Sequence, residues 1–165
     1  MSIALAAALI ASATAATTDF RTHRIPNAIP LALAAAGMLL TGFADPIGVF
    51  AFFGIGVAVL LLGSMLHARG ALGGGDVKLF AAVAATLGPR DLMLLTATTL
   101  VAGGILGVAI AAARGRLRAA GANIASLALP MLAGVRPAAL TDGTPMPYAL
   151  AIFAGVLAVT FTHLR

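Results

Sequence analysis

Long apolar runs separated by short polar breaks divide this 165-residue chain. A helix needs about 20 mostly apolar residues, within a usable range of about 17–25, to cross the hydrocarbon core of a bilayer. Six stretches read as such spans: residues 2–18, 26–43, 47–66, 77–89, 91–112 and 146–163. The fourth, "VKLFAAVAATLGP", is short. The expected fold is all-α: a polytopic integral membrane protein of about six transmembrane helices, forming one membrane-embedded domain over residues 1–165.

Composition supports the bilayer as main solvent. Hydrophobic residues make up 61% and charged residues 9%, where a soluble domain carries about 25% charged residues. Nine arginines and one lysine against five aspartates give a net charge of +5. In a membrane protein that excess marks cytoplasmic loops, so nucleic acid is not an expected partner. The absence of cysteine removes disulfides, zinc–thiolate sites and cysteine nucleophiles.

The charges also orient the chain. A signal peptide opens with basic residues, whereas here Arg21 and Arg24 follow the first apolar run. That order reads as a retained helix with its N-terminus outside the cytoplasm. Inner ends and loops then hold Arg21, Arg24, Arg69, Lys78, Arg114, Arg116, Arg118 and Arg136, and outer ones hold Arg90 and Arg165. The bias puts "DFRTHR", "HARGALGGGD" and the basic segment 113–145 on one cytoplasmic side. Leu117, Ile124, Leu127 and Met131 fall near one helical face of that segment, which reads either as an interfacial helix or as an ordinary basic loop.

Five aspartates are the whole acidic inventory. Asp45 in "ADP" and Asp142 in "TDGTP" have turn contexts, and Asp91 suits the first turn of a helix. Asp19 and Asp76 differ, since both fall near the cytoplasmic boundary of a span. Ionisable residues in membrane segments are costly and usually face a bundle interior where they serve a function. Two carboxylates brought together in a poorly solvated site cannot both ionise easily and share a proton. One is then a general base on water while the other polarises a carbonyl. This chemistry needs neither a metal nor a cofactor. His23, His67 and His163 show no metal-ligand spacing and read as interfacial residues.

Gly73, Gly74 and Gly75 stand directly before Asp76. They are expected to bend the backbone through φ > 0 and to admit a substrate chain closely; a flexible loop before a helix is the other reading. Lys78 lies roughly 200° around the helix from Asp76 and is expected to reach for the interface rather than pair with it. Pro26 suits the first turn of the second span. Asn27 is open to a bond across helices or to a surface position. Arg21 and Arg24 fix topology, with substrate contact as the alternative.

Gly73, Gly75 and Asp76 occupy the fixed positions of the GxGD motif. "DFRTHRIPN" carries Asp19, Arg21, Arg24, Ile25, Pro26 and Asn27 in the pattern of an aspartate followed by R-x-x-R-I-P-N. "MPYALAIFAG" adds Pro147, Tyr148 and Gly155. In this order the three blocks resemble the prepilin peptidase family. The resemblance implies an aspartic endopeptidase of the inner membrane with Asp19 and Asp76 as catalytic pair. It also implies pilin-like precursors as partners, each with a short basic leader, cut at the cytoplasmic face ahead of an apolar helix. The size resembles the small branch, without the cysteine-rich zinc insert of larger members, so N-methylation is not implied; the similarity extends to tight-adherence pilus enzymes and to archaeal preflagellin peptidases. Competing readings are a proton-coupled carrier, which would place carboxylates near mid-bilayer, and a non-catalytic subunit of a secretion complex.

Overall fold

A computed structural model describes residues 2–45, 47–68, 72–118, 121–122 and 147–165. Six α-helices are described from end to end: α1 (Ile3–Thr22), α2 (Ala28–Ala44), α3 (Gly48–Ala68), α4 (Gly74–Leu87), α5 (Pro89–Ala113) and α6 (Ala149–His163). Most of the 113–145 segment, and with it the expectation of an interfacial helix, lies outside the described residues.

Each helix coincides with one predicted span, yet length and composition qualify only α1, α3 and α5 to cross a membrane; α2 and α6 are shorter apolar helices. The 14-residue α4 extends about 21 Å, less than the roughly 30 Å of a hydrocarbon core. It is the centre of the bundle. Val77, Leu79, Ala81, Ala82, Val83, Ala84 and Ala85 are all buried, which covers every face of the helix. A helix apolar all round belongs in an interior, and its alanines let neighbouring backbones come close. α3, α2, α1, α6 and α5 surround it.

Local chemistry explains the boundaries. α1 starts at Ser2, whose Oγ accepts the Leu5 N–H at 3.2 Å. It continues past the expected end at residue 18 to Thr22, and threonine hydroxyls along its last turns bond back to preceding carbonyls. Thr17 donates to the Ala13 carbonyl at 2.8 Å, Thr18 to Ala15 at 2.9 Å and Thr22 to Thr18 at 2.8 Å. Asp19 is therefore inside the helix, and its own carbonyl accepts the N–H of the left-handed cap His23. Asp45 closes the α2–α3 turn, accepting the Ile47 N–H at 3.0 Å. Gly88, at φ +80°, separates α4 from α5 in a conformation that favours glycine, and Pro89 takes the first position of α5.

Small residues set the closest helix contacts. A Cβ at Gly37 of α2 would collide with Thr86 Oγ1 of α4 and stand 3.0 Å from the Phe52 ring of α3. A Cβ at Gly155 of α6 would strike Thr99 Oγ1 and come within 3.1 Å of the Leu95 carbonyl of α5. Polar side chains tie the ends together: His163 Nε2 donates to Asp91 Oδ2 at 3.0 Å, joining the end of α6 to the start of α5.

Candidate active site

Successive helices run in opposite directions. The end of α1 and the starts of α2, α4 and α6 therefore share one end of the bundle. Cross-helix contacts fix this arrangement. The Ala149 N–H at the start of α6 donates to Asp19 Oδ2 at 3.3 Å, and Lys78 of α4 donates from Nζ to Asn27 Oδ1 before α2 at 3.0 Å.

The chain between α1 and α2 is short. His23 ends α1 in the left-handed region at φ 50°, Arg24 to Pro26 carry no regular structure, and Asn27 caps α2. Pro26 thus precedes the helix instead of filling its first turn, because α2 begins two residues later at Ala28. Arg21, Arg24, Pro26 and Asn27 are exposed. Ile25 turns inward and packs on Gly75, where an added Cβ would lie 3.1 Å from Ile25 Cβ.

The glycines do something other than expected. Gly73 is the N-cap of α4 at φ −69° and ψ 140°, and Gly74 and Gly75 are already helical. Among the described residues only Gly88 and Gly115 are glycines with positive φ. The helix tolerates these glycines because its first N–H groups lack partners within it in any case. What each position requires is the absence of a side chain: Gly73 lies against Asp76 Oδ2, Gly74 under the His67 ring, and Gly75 under Ile25. His67 in turn holds its approach segment, with Nδ1 2.8 Å from the Leu72 carbonyl oxygen.

Asp76 is the third residue of α4, where a carboxylate reaches back to the N-cap backbone as in a capping box. It accepts the Gly73 N–H. Its other oxygen, Oδ1, is buried and has no hydrogen-bond partner among the described residues. Such an oxygen normally has a partner, and an orphan is a candidate for chemistry. Asp19 is itself buried, 6% exposed, at the same end of the bundle as Asp76, where the Ala149 N–H bonds it to the start of α6.

Tyr148 completes the arrangement. It precedes α6 directly and fits against Gly103 of α5, where a Cβ would come 2.7 Å from its ring. Asp76 and Tyr148 line an apolar cavity of about 390 Å³ between α3, α4 and α5.

Of the residues singled out from sequence, the structure groups Asp19, Gly73, Gly75 and Asp76. It sets Lys78 and Asn27 to one side, bonded to each other and lining a separate groove against α2 and α3. Arg24 and Pro26 shape the turn that delivers Ile25. The parts that sequence reasoning did not assign to the site are the Ala149 N–H and the Tyr148 ring. Their signal was the "MPY" block, which shows no chemistry until folding brings it to Asp19. Among the described residues no cluster of histidines and carboxylates would hold a metal.

A family model described as the type IV leader peptidase family matches residues 4–108, well over half of the chain and inclusive of both aspartates. No curated protein and no solved structure matches significantly.

Proposed function

The chain belongs to the type IV leader peptidase family, and from that premise we propose an aspartic endopeptidase that removes the short basic leader of type IV pilin-like precursors. The observation that supports this reading is the placement of two carboxylates at one end of the bundle: Asp19 is bonded to the start of α6, and Asp76 lines the adjoining apolar cavity together with Tyr148.

One carboxylate takes a proton from a water as its oxygen attacks the scissile carbonyl, while the protonated partner donates a hydrogen bond to the carbonyl oxygen. Collapse of the tetrahedral diol breaks the C–N bond and passes a proton to the leaving amine. Roles belong to the pair, since coupled carboxylates titrate as a unit. The chain's own groups support these steps. The Ala149 N–H orients Asp19, the Gly73 N–H holds one oxygen of Asp76, and Oδ1 of Asp76 is left for water or substrate.

The arginine bias supports a site at the cytoplasmic face of the inner membrane, with the N-terminus outside. The lack of a cysteine-rich insert between α1 and α2 favours a precursor of the tight-adherence type. A carrier would want carboxylates near the midplane, whereas this pair gathers at one end of the bundle.

The test is co-expression of a pilin-like precursor with wild type, Asp19→Asn or Asp76→Asn. Each substitution, in protein that still inserts, lowers cleavage by about 10²–10⁴-fold, the usual share of general acid–base catalysis. Normal cleavage by either variant would remove its aspartate from the pair.

A further inference from the structure

The helices around α4 form a ring that does not close. α3 packs on α2, α2 on α1, α1 on α6 and α6 on α5, but among the described residues α5 and α3 do not pack extensively on each other. The apolar cavity fills this opening. α4 is its floor, with Asp76 at one end and Phe80 further down; Leu62 of α3 and Leu100 of α5 stand on opposite walls. On α5 the lining runs from Leu100 to Leu92, about 12 Å along the helix, or roughly two turns. Among the described residues Asp76 is the sole charged one in the lining. Leu62 and Leu100 are 64% and 62% exposed, so the slot is open on its outer side.

Resting on the peptidase reading, we infer that this slot receives the apolar segment of the substrate that follows the scissile bond, as a helix lying between α3 and α5 with its N-terminal end at Asp76. Three observations choose this occupant. The slot is continuous with the candidate catalytic carboxylate, so a chain lying in it presents its end to Asp76. Beyond Asp76 at one end, its lining is apolar or uncharged, which matches an apolar side-chain surface better than a charged leader. A chain in contact with lipid must satisfy its own backbone groups, which selects a helix. Running away from the Asp76 end, such a helix leaves the polar leader on the side where Arg21 and Arg24 emerge. Lateral movement from the bilayer then delivers the substrate without threading it through the bundle.

Single-cysteine cross-linking tests the slot, since the chain has no cysteine of its own. Leu62→Cys and Leu100→Cys are paired with a pilin-like precursor carrying one cysteine within about two helical turns after the scissile bond. Leu61→Cys and Val101→Cys, exposed on the same helices outside the slot, are the controls. Disulfides are expected at Leu62 and Leu100 and not at the controls, in wild-type background and in Asp76→Asn alike. Cleavage with no link at Leu62 or Leu100, or with equal links at the controls, overturns the slot and leaves the peptidase reading standing. Links at the slot without any cleavage by wild type overturn the peptidase reading and leave the slot. Neither link nor cleavage removes both.

Discussion

Gly73 and Gly88 show how differently a glycine can matter. Gly73 has φ −69° and ψ 140°, which any residue adopts, so Gly73→Ala carries no backbone strain. Its new Cβ instead meets the Asp76 carboxylate. Gly73→Ala is expected to insert and melt like wild type while precursor cleavage falls by about 10²-fold, the scale of a 1 Å misplacement of a reacting group. Gly88 is the reverse. At φ 80° and ψ −176° an added side chain has open space but a strained, almost glycine-only backbone, so Gly88→Ala costs about 1–3 kcal/mol. It lowers the melting midpoint in detergent and leaves cleavage at moderate temperature intact. From sequence, "GGGD" announces a place where side chains are not tolerated, but whether the reason is positive φ or crowding depends on His67 of α3 and Ile25 of the α1–α2 turn.

The six helices were legible as elements because apolar runs of helical length leave few alternatives in a bilayer. Their boundaries were less so. α1 runs past its apolar stretch to Thr22, and this puts Asp19 inside a helix instead of at its end. Pro89, read as the close of the fourth span, opens α5, since Gly88 breaks the chain first. Packing partners were not legible, because an alanine-rich helix has no pattern that says which face meets which neighbour. The α5–α6 contact makes this measurable. In Gly155→Ala the added methyl meets Thr99 and the Leu95 backbone carbonyl, and a backbone atom cannot swing away. The expected loss is about 1–3 kcal/mol from overpacking, read as a lower denaturation midpoint, with residual activity following the folded fraction.

At the scale of the whole molecule, two distant blocks of sequence become one site. The turn after α1 and the start of α4 touch through Ile25 on Gly75 and Asn27 on Lys78, and the start of α6 adds Ala149 and Tyr148. Asp19 and Asp76 stood out in the sequence because carboxylates are scarce in this chain. The Ala149 N–H was not, since a backbone donor acquires a role only when folding puts a carboxylate in front of it. Orientation has its own test. With a membrane-impermeant thiol reagent on intact cells, Arg165→Cys is labelled and Arg21→Cys is protected until the membrane is opened. The opposite pattern would put the aspartates on the outer face.

The account turns on the two aspartates, and mass spectrometry of a pilin-like precursor incubated with wild type, Asp19→Asn and Asp76→Asn probes them most directly. The expected result is a single new N-terminus after the basic leader with wild type, and intact precursor with both variants at equal insertion. Processing by either variant at the wild-type rate, or no processing by wild type of any precursor with a basic leader and an apolar helix, would contradict it.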